Sequence, residues 1–182
     1  PGRVCIAATL LFVLAASSQT AEGQVPDGFE IVRITNDNSG DRRPRINNCG
    51  GIVHSKRINE SVDGEEIFYH DNGITARITN DNIRDAFPDI NDNGTIVYTH
   101  GAGGFAAGTV TVYRDGQAEE RFEGFAASTN NLEHLVWMRY NGRGCHGSDA
   151  DVFFWDGDQV WQITQNDRSN QGNAMNDNDW LA

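Results

Sequence analysis

The stretch ITNDNIRDAFPDINDNGTIVY, Ile78 to Tyr98, has an earlier counterpart in ITNDNSGDRRPRINNCGGIVH, Ile34 to His54. Ile34, Pro44, Ile46 and Ile52 stand 44 positions before Ile78, Pro88, Ile90 and Ile96, so one register runs through both copies. A further trace, Ile163 to Ala182, sets Met175 to Asn178 against Ile90 to Asn93 at an offset of 85. Between them lies a degenerate copy, in which RFEGF (Arg121 to Phe125) stands for ITNDN and HLVWMRY (His134 to Tyr140) for GTIVYTH. A period of this size belongs to architectures whose units bury a core only by stacking on their neighbours.

The segments between turn signals are short and alternate β-branched or aromatic residues with polar ones: TIVYTH, TVTVYRDG, EEIFYHDNG, DVFFWDGDQVWQIT. None keeps a helical period. NDNG (Asn91 to Gly94), RDG (Arg114 to Gly116) and WDGD (Trp155 to Asp158) supply the Asn-Gly and Asp-Gly chemistry that tight hairpins need for positive φ. In the second repeat this places strands at Phe87 to Asn91, Thr95 to His100, Thr109 to Arg114 and Ala118 to Phe122. Four strands make one blade, and a series of such blades stacks radially. The fold class is thus all-β, a β-propeller of four-stranded antiparallel blades. Blades are expected at residues 42 to 80, 85 to 122 and 125 to 164, with a leader over 1–23 and the repeat domain over 24–182. About three and a half repeats give an incomplete arc. Phe29 to Thr35 reads as an extra strand without its ring-closing partner, with Ile31 or Ile34 more exposed than Ile78.

The order of ITNDN, an Asp, Pro88, Asn91, Gly94 and then TIVY resembles the propeller repeats of TolB-like periplasmic proteins. There a threonine-ended outer strand leads into a Pro-containing inner strand and a turn at Asn/Asp-Gly. The resemblance covers most of the chain after Val25; it is closest at Pro88, Asn91, Gly94 and Tyr113 to Gly116 and weakest over Ala118 to Leu132. Where that family usually has Ser-Pro-Asp-Gly, this chain has Ile-Asn-Asp-Asn-Gly. The resemblance implies a propeller scaffold in the periplasm or outside the cell.

Location is read independently from the N-terminus. Arg3 precedes VCIAATLLFVLAA, an apolar run short for a membrane span, followed by small and polar residues to Gly23, the form of a secretory signal peptide. No initiator Met is present and the last repeat stops within its second strand, as in a fragment of a longer product. The formal charge of −12 argues against a nucleic acid partner, and after leader cleavage no membrane association is expected. Cys49 and Cys145 remain after processing; their turns fall at opposite ends of the strands, which argues against a bond between them.

Candidate ligand groups lie on loops. Asp37 and Asp81 in the repeated NDN, Asp41 and Asp85 three residues before each repeated Pro, and Asp167 in the last copy would form an acidic loop face for a protein or polysaccharide partner. The same residues fit a turn-fixing role. Asp89, Asn91 and Asn93 have the alternate spacing of a calcium loop, but position twelve is His100 rather than a bidentate Glu, and a hairpin turn accounts for them equally. No other cofactor is expected. NGRGCHGSDAD (Asn141 to Asp151) gathers metal-capable types in no closed zinc spacing, and no nucleophile elbow accompanies the histidines. The expectation is a binding or scaffold module; the alternative is the propeller portion of a hydrolase or polysaccharide lyase whose catalytic residues lie mostly elsewhere.

Overall fold

The computed structural model describes residues 26–58, 64–101, 108–142, 149–166, 170 and 174–182. The leader at 1–23, Asp167, Cys145 and His146 lie outside them. Among the described residues there is no helix, and twelve strands form three four-stranded antiparallel sheets in sequence order. The first holds β1 (Asp41–Ile46), β2 (Ile52–Arg57), β3 (Glu65–Asp71) and β4 (Ile74–Arg77). The second holds β5 (Asp85–Ile90), β6 (Ile96–His100), β7 (Thr109–Arg114) and β8 (Gln117–Glu123). The third holds β9 (Phe125–Thr129), β10 (Leu135–Tyr140), β11 (Ala150–Trp155) and β12 (Val160–Gln162). These limits fall within a few residues of the expected units. In the last copy Met175 bridges Leu181, the relation that Ile90 has to Ile96 at the offset of 85.

Burial explains the stacking. The middle strands β2 and β6 are buried along most of their length and β10 over its first half, whereas β4, β8 and β12 are largely exposed. Val53 and Ile67 of the first sheet pack with Ile90, Ile96 and Tyr98 of the second. Val97 and Val110 of the second pack with Ala127, Leu135, Trp137 and Phe153 of the third. Each sheet therefore has a neighbour to cover a face it could not bury alone.

All three first strands carry a bulge at the same place. The β1–β2 ladder shifts between Arg42 and Arg45, β5–β6 between Ala86 and Asp89, and β9–β10 between Val136 and Met138. The bulged residues Arg43, Phe87 and Ala126 have φ of 51°, 55° and 51°. Pro44 and Pro88 follow the first two, where the interrupted ladder asks for no amide proton.

Three readings are corrected. Phe29 to Thr35 forms no strand and joins no ladder, although Ile31 at 49% is indeed exposed while Ile78 is partly buried. The degenerate copy is displaced: Thr129 pairs with Leu135 as Ile90 pairs with Ile96, so His134 is the equivalent of Thr95, one place further on than the assigned Gly94. RFEGF is no counterpart of ITNDN, since Arg121 to Glu123 complete β8 and Gly124 alone connects it to β9. Cys49 sits in the β1–β2 turn and is disulfide-bonded; the expectation about Cys145 falls outside the described residues.

Candidate functional site

The two ends of the sheets differ in chemistry. At one end the first and second strands of every repeat are joined by a turn beginning with Asn: Asn47, Asn91, Asn130 and Asn176. In each, the Asn Oδ1 accepts the amides two and four residues on, as Asn91 does from Asn93 at 3.0 Å and Thr95 at 2.9 Å. Asn47, Asn130 and Asn176 repeat this pattern. The fourth turn residue takes positive φ, as glycine at Gly50 and Gly94 and as Glu133 (64°) and Asp179 (59°) in the other two.

The amide end of the same side chains links turn to turn. Asn47 Nδ2 donates to the Asn91 carbonyl at 3.0 Å, Asn91 Nδ2 to the Asn130 carbonyl at 2.8 Å, and Asn130 Nδ2 to the Asn176 carbonyl at 3.1 Å. One position further on, Asn48, Asp92, Asn131 and Asp177 form a second chain. Asp92 accepts from the Asn48 amide and side chain and from Asn131 Nδ2; Asn131 donates likewise to Asp177. These bonds outweigh burial and hold the Asp92 carboxyl below its usual range. The four turns and the strand ends Ile46, Ile90, Thr129 and Met175 enclose a concavity of about 240 Å³.

The calcium-spaced residues belong to this scaffold. Asp89 Oδ2 accepts from the Ser128 hydroxyl and the Thr129 amide of the next sheet, Asn91 is committed at both ends, and Asn93 Nδ2 donates to the Asn131 carbonyl. Asp89 Oδ2 and both ends of the Asn91 side chain are thus taken up by bonds within the scaffold.

The acidic candidates stand at the opposite end. Asp37 and Asp81 each cap a loop through Oδ1, accepting from Ser39 at 2.9 Å and Ile83 at 2.7 Å. Asp37 Oδ2 is paired with Lys56, whose hydrogen bond is the main cause of its lowered pKa. Asp41 faces His54 at 3.4 Å. Asp85 is fully buried, with Oδ1 2.8 Å from His100 Nδ1 and Oδ2 buried without a hydrogen bond. Burial pushes its carboxyl up to about 6 against the lowering influence of Thr79 and His100 nearby. Asp81, Asp85 and His100 have ligand-capable atoms within 4.8 Å of one another, so the structure does bring two of the predicted acids together, with a histidine that sequence reading left scattered. Its signal was the register: His100 stands 44 residues after Lys56.

No protein-family model matches the chain, and no curated protein matches it. Among solved structures it is similar to TolB from Acinetobacter baumannii, with a TM-score of 0.57 and 12% sequence identity, over 78% of this chain and 37% of that one. At that identity the likeness concerns the fold alone. The three stacked sheets have a TolB-like arrangement, and this chain spans little more than a third of the length of the protein it matches.

Proposed function

We propose that the chain is an arc of a β-propeller, exported to the periplasm or the cell exterior, that acts as a binding or scaffold module for a protein or polysaccharide. The observation that carries this reading is the concavity walled by four equivalent Asn turns, with Asn48, Asp92, Asn131 and Asp177 at its rim. Amides and carboxylates fixed by their own bonds offer a preorganised polar surface suited to hydroxyls, peptide groups or a cation. The opposite end presents separate pairs instead of one walled surface: Asp37 is held by Lys56, Asp41 faces His54, and Asp85 is buried against His100. The N-terminal leader and the TolB-like fold support export. No helix among the described residues is long and apolar enough to cross a membrane, and the acidic balance weighs against nucleic acid.

The test has two arms. Oligosaccharides, neutral and cationic, are titrated into isotopically labelled protein and followed by NMR, while a photocrosslinker is placed at Asn48 or, as a control, at the exposed Asn38 in the loop of the opposite end. Shifts or adducts concentrated at Asn48, Asp92, Asn131 and Asp177 support the reading. An even spread over both ends, or silence in both arms, rejects it.

A further inference from the structure

Repetition provides an internal comparison at the loop end. Asp37 and Asp81 are equivalent, as are Asp41 and Asp85; Lys56 and His100 occupy the matching ladder positions opposite Asp41 and Asp85. In the first repeat the Lys56 ammonium sits on Asp37 Oδ2 and ties the loop to β2. In the second, His100 Nδ1 lies 4.0 Å from Asp81 Oδ2 and 2.8 Å from Asp85 Oδ1. The substitution changes the chemistry available. An ammonium has only protons to give, whereas an imidazole can offer a lone pair to a cation.

A second observation points the same way. The Asp85 side chain is 0% exposed; Oδ1 lies against His100, the Thr79 hydroxyl is a further polar neighbour of the carboxyl, and Oδ2 closes no hydrogen bond. A buried carboxylate oxygen left so is costly unless something positive completes it. Its counterpart Asp41 is exposed and has no such need.

We propose that Asp81, Asp85 and His100 form a binding site for a divalent cation of the zinc type. Nδ1 of His100, Oδ2 of Asp81 and the Asp85 carboxylate are the protein ligands, leaving the fourth position to water. Zinc–ligand bonds of about 2.1 Å in a tetrahedron put ligand atoms about 3.4 Å apart. The observed 2.8 and 4.0 Å bracket that spacing. A nitrogen ligand among two carboxylates suits zinc better than calcium, which takes six or more oxygens. Glu120 lies 4.0 Å from His100 Nε2, on the side where an outer carboxylate orients a ligating imidazole. Asp81 Oδ1 stays on the Ile83 amide, so the ion would clamp the loop between the first two sheets to β6, as Lys56 clamps the preceding loop to β2. The site stands apart from the turn-lined concavity and does not depend on what binds there.

The experiment uses the full chain freed of metal by chelation and titrated calorimetrically with zinc ion alone, with cobalt absorption as a second readout. One site of micromolar or tighter affinity is expected. Asp81→Asn keeps the loop-capping oxygen and should weaken binding at least tenfold. His100→Lys should abolish binding at this site yet retain the wild-type circular dichroism spectrum, because lysine restores the pairing seen in the first repeat. Wild-type protein that takes up no zinc, or variants that bind it with unchanged affinity and stoichiometry, would overturn the proposal.

Discussion

Asn47 donates its side-chain amide to the main-chain carbonyl of Asn91, 44 residues later, and Asn91 does the same to Asn130. The sequence period is therefore also a bonding period: each turn is closed by its own Asn oxygen and tied to the next by the same Asn's nitrogen. Asn91, 4% exposed, makes three such bonds. Asn91→Ala should cost about 2–4 kcal/mol, since it leaves the Asn93 and Thr95 amides without their acceptor and removes the tie to the Asn130 carbonyl. The exposed Leu132→Ala, in the neighbouring turn, should change stability by less than about 0.5 kcal/mol. Urea unfolding of the two variants checks this; equal losses would mean the ladder is decoration.

Two glycines separate the cost of backbone conformation from the cost of space. Gly94 has φ of 84° with nothing within 4 Å of an added Cβ, so Gly94→Ala should lose only about 1 kcal/mol. At Gly124, φ is 148° and an added Cβ would meet the Met138 carbonyl oxygen and Trp137 Cδ1, both at 2.5 Å. Gly124→Ala forces β9 away from β10 and should cost about 3 kcal/mol or more. Similar melting temperatures for the two variants would contradict this account.

Trp137 is the largest fully buried side chain, stacked 4.4 Å from Phe122 and 5.8 Å from Phe153, with Nε1 donating to the Glu123 carbonyl. It joins the second sheet to the third. Trp137→Ala should destabilise by about 3–5 kcal/mol, whereas Trp161→Ala, half exposed on the outer β12, should change little. Chemical denaturation distinguishes them, and near-equal effects would show that the sheets do not depend on this contact.

The strands and most turns were legible because Asn-Gly and Asp-Gly announce positive φ and the apolar alternation between them is regular. The turn from Asn130 to His134 was not, since Glu133 takes the left-handed conformation where a glycine was the expected mark. Phe29 to Thr35 reads as a strand by alternation alone, but alternation supplies no ladder partner. Of the acidic residues, Asp37 and Asp81 lie on loops whereas Asp41 and Asp85 open β1 and β5, and their partners were not legible: Lys56 and His100 lie on other strands, and only the fold shows that the same position is ammonium in one repeat and imidazole in the next. The Asn ladder was half visible, as repeated letters whose cross-sheet bonds no local pattern specifies.

Glu65 gives a pH-dependent prediction with a definite sign. Its side chain is nearly fully buried between Arg43 at 2.8 Å and Arg84 at 2.9 Å, and Ser55 Oγ donates to it at 2.6 Å. Burial alone would raise its pKa; the Ser55 hydroxyl and the two guanidinium groups outweigh that and hold it below the usual glutamate value. Between the lowered folded value and the ordinary value of about 4.3, the unfolded chain binds more protons than the folded one. The stabilisation is thus complete above that ordinary value and is lost as pH falls through the folded pKa. Glu65→Gln should be less stable than wild type by about 2–4 kcal/mol at neutral pH, because it leaves two arginines without their shared carboxylate. That gap should narrow as the pH is lowered below about 4. Denaturation midpoints of both proteins, measured from neutral to acid pH, provide the comparison; a gap that stays constant would show that Glu65 does not couple proton binding to folding.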